Sequence, residues 1–283
     1  MKKIYGLMLV PVLALSGCVS KITNEEGVKR AEEIAKHEIK DADIQEVALK
    51  SKTFLEATVT QDGVKSYMKM DMDFTFEISR KNKFVHYFLG GELIEQEGKD
   101  KTSSKGDSEY WLYINKDGEF ISAYRTVDEK GKETKTYSVV SSKLAEASFE
   151  ASLEGVVGAM ADNLKAETEL AEVSAMLSQT EKEAKEEGMT YTVSAYSGGE
   201  GSLVVKGKVD VAAYEGIKCE GSGKVKYVWK DYMLTQVTSS MSASVDNAKD
   251  KISGSVKSEI NESVKFRVRA SQPNLSGYKK VAL

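Results

Sequence analysis

Residues 67–78 read YMKMDMDFTFEI, and the alternation in this stretch decides the fold. Its large apolar side chains are Met68, Met70, Met72, Phe74, Phe76 and Ile78. The residues between them are polar or charged. Side chains of a β-strand point alternately to opposite faces, so the stretch predicts a strand with one buried and one wet face. Neighbours on the same face stand ~6.8 Å apart, which places three thioethers side by side.

The same period of two recurs on both sides of this strand. It predicts strands between residues 53 and 140 and again between residues 190 and 270, joined mostly by short turns such as Gln61–Val64. Short connections make neighbouring strands antiparallel, because a parallel pair needs a long crossover. Residues 97–108 are charged and rich in serine, and they are predicted as a solvated loop.

Two segments have helical spacing instead. Residues 24–40 begin with a capping asparagine and two glutamates, and residues 141–187 repeat apolar side chains every three or four positions. The element order predicts an α+β fold. We expect a large curved antiparallel sheet, a half-barrel, with an N-terminal helix and a central helical insert packed on its concave face.

The N-terminal residues predict where in the cell the protein is located. Lys2 and Lys3 precede a short apolar run, and Leu15-Ser16-Gly17-Cys18 follows it. This tetrad resembles the bacterial lipobox, which implies lipidation of the Cys18 sulfur and cleavage before it. We therefore expect a lipoprotein signal peptide (1–17), a lipidated tether (18–23) and a single domain (24–283), anchored by lipid on the extracytoplasmic side of the cell membrane.

Composition narrows the choice of partners. The chain carries 40 lysines and arginines against 44 aspartates and glutamates, and the two signs are interspersed along it. Nucleic acid and anionic lipid headgroups are therefore not expected as partners, and no protein partner is indicated. With Cys18 acylated, Cys219 has no cysteine with which to form an internal disulfide.

The order of elements resembles that of the LolA/LppX-like family of lipid and lipoprotein carriers. It consists of a lipobox, an N-terminal helix, meandering strands, a helical insert and a final run of strands. The tail Ser271–Tyr278 also resembles the exit segment of such proteins. The resemblance implies that an apolar cavity between sheet and helices holds acyl chains. It implies no residue-level ligand contact.

The methionine-rich stretch gives the candidate ligand site. Methionine is flexible and polarizable and recurs at surfaces that accept variable apolar shapes, whereas core strands favour valine and isoleucine. The predicted cavity residues are Met68, Met70, Met72, Phe74, Phe76, Val157, Met160 and Met176. The alternative is an ordinary core strand packed under a helix.

Catalysis is not expected. His37 and His86 are the only histidines, and no cofactor motif or metal-binding spacing is present in the sequence. We expect a non-enzymatic protein that binds an acyl chain or lipid. The alternatives are an envelope interaction or adhesion module with a solid core, and Cu(I) binding by the three methionines with His86 approaching from a following strand.

Overall fold

The described strands form one sheet of 13 strands, with helices packed against it. The computed structural model describes residues 20–35, 45–164, 173–175, 177–178, 189–197, 202–214, 217–230, 233–247 and 250–282. The strands are β1 (Ser20–Lys21), β2 (Glu46–Gln61), β3 (Val64–Ser79), β4 (Phe84–Glu97), β5 (Asp100–Ile114), β6 (Phe120–Val127), β7 (Glu133–Val140), β8 (Met189–Ser197), β9 (Ser202–Tyr214), β10 (Ile217–Lys230), β11 (Met233–Asn247), β12 (Ile252–Lys265) and β13 (Lys279–Lys280). The helices with stated bounds are α1 (Asn24–Ala35) and α2 (Ser142–Leu164), and the described residues 173–175 and 177–178 are also helical.

The strand order across the sheet is β1-β8-β9-β10-β11-β12-β2-β3-β4-β5-β6-β7-β13. Hairpin neighbours are antiparallel, as the short connections predicted. The long pairing of β12 with β2, from Ile252 opposite Gln61 to Lys265 opposite Ala48, joins the two halves of the chain. At the far edge, β13 pairs in parallel with β7.

The predicted α+β half-barrel is wrong. Strands take 67% of the chain and helices only 14%, and the described helices do not cover the middle of the sheet. Helix α1 contacts β8 and β9, whereas α2 contacts β5, β6 and β7, near the two ends of the strand order. The helical periodicity of residues 141–187 led to a prediction in which helices form a second layer. Most of the chain instead forms hairpins, and each hairpin adds strands to the same sheet.

The loop predicted at residues 97–108 is also wrong. Strand β5 begins at Asp100 and pairs with β4 along its length, from Asp100 opposite Glu97 to Tyr113 opposite Phe84. Polar composition suggested a loop, but a strand without a covering layer can be polar on both faces. The predicted turn at Gln61–Val64 is confirmed, with positive φ at Asp62 (49°) and Gly63 (80°) as a tight hairpin requires.

Register divides the sheet into two faces. We call the side that carries Met70 and Phe76 the apolar face, and the side that carries Lys69 and Asp73 the polar face. Two buried clusters lie on the apolar face. One joins sheet residues such as Val47, Ile78 and Leu112 to Ala145, Phe149 and Leu153 of α2. The other joins Leu203, Val205 and Tyr227 to Ala31, Val173 and Leu177.

The polar face also has one covered region. Phe84, Trp111, Tyr113, Ile121 and Ala123 form a buried cluster there. The segment after β12 packs against it through Val268, Ala270, Leu275 and Tyr278. The C-terminal segment therefore covers the polar face at β4–β6, where α2 covers the apolar face.

Helix α1 is attached to the sheet edge by its first residues. The Thr23 hydroxyl accepts a hydrogen bond from the Glu26 N–H (3.1 Å), so Thr23 takes the capping role expected of Asn24. The Asn24 side chain instead donates to the Val193 carbonyl (3.1 Å) and accepts from the Ala195 N–H (3.3 Å). It thereby satisfies backbone groups at the edge of β8.

Gly91 and Gly221 give a matched pair of substitutions in the sheet. A Cβ at Gly91 would stand 2.5 Å from the Asp71 carbonyl oxygen, whereas one at Gly221 would meet nothing closer than the Ala243 Cβ at 3.6 Å. We expect Gly91→Ala to lower the free energy of unfolding by about 1–3 kcal/mol through backbone displacement. Gly221→Ala should raise it by about 0.5–1 kcal/mol, because alanine loses less backbone entropy on folding. Urea unfolding of both variants measures this, and equal effects would contradict the close approach at Gly91.

Candidate functional site

The methionine strip lies in the middle of the apolar face. We define it as Met68, Met70 and Met72 of β3 with their large or small apolar cross-strand neighbours Leu55, Ala57 and Leu93; the other neighbour of Met68 is the exposed Glu95. The register places Leu55 and Leu93 on either side of Met70, and Ala57 beside Met68. All six side chains are half-buried, and none belongs to a buried cluster of the described residues. The strip therefore offers apolar surface outside the packed core.

The other half of β3 is core. Ile78 is fully buried and Phe76 is 9% exposed, in the same cluster as Phe149 and Leu153 of α2. Phe74 lies at the margin of that cluster, with its ring edge-on to Tyr87 and 5.4 Å between centroids. The alternating stretch thus changes from core to half-open surface between Phe74 and Met72.

An open groove of about 510 Å³ adjoins the strip near the hairpin ends. Its lining residues are Ala57, Val59, Ser66, Tyr67, Met68, Glu95, Gln96, Glu97, Asp100 and Thr102. Met68 and Ala57 connect the groove to the methionine strip. Beyond them Val59 is 43% exposed, so apolar surface continues to the end of the hairpin.

Several predicted site residues are not placed by the structure. Val157 and Met160 fall on α2, in a part of the helix whose side chains are outside the described residues. Met176, Cys18 and His37 lie outside the described residues altogether. The roof predicted for the cavity therefore stays a prediction.

His86 is held on the polar face between two carboxylates. Its Nδ1 lies 3.0 Å from Glu77 Oε2 and its Nε2 lies 2.9 Å from Glu109 Oε1. The imidazole also stacks on Trp111, with 5.3 Å between ring centroids. Burial acts to lower the pKa of His86, but the hydrogen bonds and charges of the two carboxylates outweigh it and raise that pKa. The hydrogen bond to His86 lowers the pKa of Glu77.

This arrangement favours an imidazolium that donates from both nitrogens, because an ionised carboxylate only accepts. Such a group has no free nitrogen with which to act as a base. Arg125 extends the network, since its Nη1 lies 2.6 Å from Asp107 Oδ1 and 3.5 Å from Glu109 Oε2. The cluster therefore fastens β3, β4, β5 and β6 to one another on the polar face.

The His86 cluster gives a pH dependence whose sign is fixed. The pKa of His86 is higher in the folded state than its unfolded value of about 6.5. The protonated histidine therefore contributes its full stabilisation of the folded state below about pH 6.5. This stabilisation is lost as the pH rises through the folded pKa. For Glu77, with its lowered pKa, the stability is present above about pH 4.3 and is lost as pH falls. We expect the free energy of unfolding to decrease between pH 6 and pH 8.5, and His86→Gln to weaken this slope. Urea unfolding at both pH values measures it; parallel slopes would contradict the imidazolium.

The structure separates His86 from the three methionines. His86 lies on the polar face and the strip on the apolar face, so this side chain cannot complete a Cu(I) site there. Among the described residues, no group of three or more His, Cys, Asp or Glu side chains is arranged to hold a metal ion. Cys219 is half-buried, and burial raises the pKa of its thiol.

Sequence reasoning missed the Glu77–His86–Glu109 cluster. Register places Glu77 directly opposite His86 on the neighbouring strand, whereas Glu109 reaches from β5. The alternation showed that Glu77 faces away from the methionines. Only the register of the β3–β4 and β4–β5 hairpins shows that the three side chains meet.

No family model matches the chain, and no curated protein matches it. Among solved structures, the translocator domain of the autotransporter NalP from Neisseria meningitidis is 10% identical, with a TM-score of 0.21 over 86% of this chain and 94% of that one. The beta domain of the Bordetella autotransporter Brka is 6% identical, with a TM-score of 0.24 over 76% and 98%. A DUF1329 family protein from Desulfovibrio piger is 6% identical, with a TM-score of 0.16 over 88% and 93%. Similarity this low carries no conclusion about the chain.

Within the described residues, neither helix combines the length and hydropathy needed to cross a bilayer.

Proposed function

We propose that this chain is a non-enzymatic, lipid-anchored protein of the bacterial cell envelope that binds an acyl chain or similar apolar ligand on the methionine strip. The observation that supports the proposal most is the half-buried state of Met68, Met70 and Met72 beside an open groove. A contiguous exposed apolar patch on a soluble protein commonly marks a binding site. A ligand laid along the strip removes both surfaces from water.

The chemistry of the strip suits an acyl chain. Unbranched thioether side chains adapt to a flexible guest, and neighbouring leucines contribute aliphatic surface. Each CH₂ removed from water contributes about 0.8 kcal/mol, so a bound segment of several carbons yields appreciable affinity after the entropic losses of binding. The open edge of the groove allows a polar headgroup to stay in solvent.

The location in the proposal rests on the N-terminal sequence. Leu15-Ser16-Gly17-Cys18 supports lipidation of Cys18, and the chain then lies on the extracytoplasmic side of the cell membrane. The LolA/LppX-like resemblance implied the same use of an apolar surface, but the half-barrel that it also implied is not the fold of this chain. That resemblance stays a prediction.

Titration with a fluorescent fatty acid tests the ligand. Met68→Gln/Met70→Gln keeps side-chain length while making the strip polar, and we expect it to weaken binding about tenfold or more. Ile94→Gln is the control, because Ile94 lies at the same height on the polar face. Urea unfolding checks that both variants fold. Absence of binding by the wild type, or equal losses in both variants, would contradict the proposal.

An interaction or adhesion module is the second candidate. An open groove of about 610 Å³ crosses β9, β10, β11, β12 and β2, and it favours a polar partner. Its lining residues are Glu56, Thr58, Lys208, Glu220, Gly221, Ser222, Ser242, Ala243, Ser244, Ser255, Val256 and Lys257. Binding of a cell-wall polymer by a wild type that ignores fatty acids would favour this candidate.

A further inference from the structure

Lysines that are dispersed in the sequence converge on the polar face of β9 and β10. Lys206 stands directly opposite Lys224, and Lys208 and Lys226 lie two residues further along their strands on the same face. Cross-strand neighbours stand about 5 Å apart and successive positions on one face ~6.8 Å apart. We call Lys206, Lys208, Lys224 and Lys226 the basic patch.

Among the described residues no lysine of the basic patch forms an ion pair, although the hydrogen bond and charge of Lys218, followed by the charge of Lys208, lower the pKa of Glu220. Lys218 and Lys257 instead pair with Glu220 and Glu259. Like charges directly opposite one another destabilise a sheet. Burial and then the charges of Lys206 and Lys226 lower the pKa of Lys224. The patch therefore has an electrostatic cost that an anionic partner would relieve.

The chain enters the sheet next to this patch. Lys21 of β1 pairs with Tyr196 of β8, and the Lys206 ammonium lies over the Tyr196 ring, 4.5 Å from its centroid. Cys18 precedes Ser20 by two residues, a span of at most about 7 Å. A lipid on Cys18 consequently holds the edge of β8, and the lysines beside it, close to the headgroups.

We propose that the basic patch docks on the anionic phospholipid headgroups of the membrane that holds the anchor. This inference rests on the lipidation of Cys18 in the proposed function. It reverses the expectation from sequence that anionic headgroups are not partners, because strand register brings together lysines that are separated along the chain. The methionine strip lies on the opposite face and remains open to its ligand while the patch is docked.

Charge complementarity and covalent proximity both support a bilayer as the partner. A lysine near an anionic membrane surface strengthens binding by about fivefold. The attraction decays within a Debye length of about 8 Å at physiological salt, so only residues held near the surface contribute. Tyr196, with an apolar ring and a polar tip, suits the interfacial zone.

Co-sedimentation of residues 18–283 carrying Cys18→Ser isolates the patch from the lipid anchor and from the apolar run of the signal peptide. We expect this unacylated protein to bind phosphatidylglycerol–phosphatidylcholine vesicles and to ignore pure phosphatidylcholine. The quadruple variant Lys206→Gln, Lys208→Gln, Lys224→Gln, Lys226→Gln should bind at least about tenfold more weakly. A second quadruple variant, Lys50→Gln, Lys65→Gln, Lys101→Gln, Lys105→Gln, removes the same charge from exposed positions on the same face and should bind within about twofold of the parent.

Each outcome of this experiment either supports or overturns the proposed docking surface. Equal losses in the two quadruple variants would show that only net charge matters, and no binding to anionic vesicles would remove the docking surface; either result overturns the proposal. So would a preference for soluble poly(glycerol phosphate) over vesicles, since it would assign the patch to a wall polymer. Fatty-acid titration of the patch variant separates the two proposals, because the strip should bind normally even when vesicle binding is lost.

Discussion

Replacing Phe149 with alanine should lower the free energy of unfolding by about 3–5 kcal/mol. Phe149 of α2 is fully buried and meets the Phe120 ring edge-on, with 6.4 Å between centroids. It belongs to the cluster that joins α2 to β2–β6 and β12. Truncation leaves a cavity beneath the helix and removes an aromatic contact, so the loss exceeds the transfer free energy of the side chain alone.

Leu144→Ala is the matched control for this prediction. Leu144 lies on the same helix but is 60% exposed, and alanine is a good helix former. Urea unfolding followed by circular dichroism should therefore show a change within about 0.5 kcal/mol for Leu144→Ala. A small loss at Phe149 would mean that α2 does not anchor to the sheet as the structure shows.

Replacing Cys18 with serine should release the chain from the membrane once residues 1–17 have been removed. The change removes the thiol that would carry the lipid, and two or three acyl chains supply far more binding than the marginal affinity of one chain. We expect metabolic labelling with palmitate to be lost and the protein to leave the membrane fraction at high salt. At low salt the basic patch should retain part of it at the membrane.

Cys219→Ser is the control for lipidation, because Cys219 is the other cysteine of the chain. It lies on β10, half-buried, and should not alter labelling or fractionation. Palmitate label that persists in Cys18→Ser, or disappears in Cys219→Ser, would contradict the assignment of the anchor.

Local alternation predicted much of the sheet and none of its long-range order. The β2–β3 hairpin could be read from the sequence, because Asp62-Gly63 forms a tight turn between alternating strands. The β12–β2 pair could not, since it joins residues about 200 positions apart and depends on which edges remain free. That pairing joins the two runs of strands into one sheet.

Only part of the candidate site could be predicted from the sequence. Alternation places the three methionines on one face, but it does not show that α2 covers Phe76 and leaves Met70 half-exposed. The His86 cluster and the basic patch depend on register between strands. The spacing of residues in the sequence does not predict that Lys206 stands opposite Lys224, eighteen residues further along the chain.

Photo-crosslinking tests the central claim most directly. The wild-type protein is irradiated with a diazirine-labelled fatty acid, digested and mapped by mass spectrometry, with unlabelled fatty acid as competitor. Binding at the methionine strip predicts competed adducts concentrated on residues 52–72 and 89–95, and their loss in Met68→Gln/Met70→Gln. Adducts spread over the surface, adducts that the competitor does not reduce, or none at all would contradict the claim that this strip holds an apolar ligand.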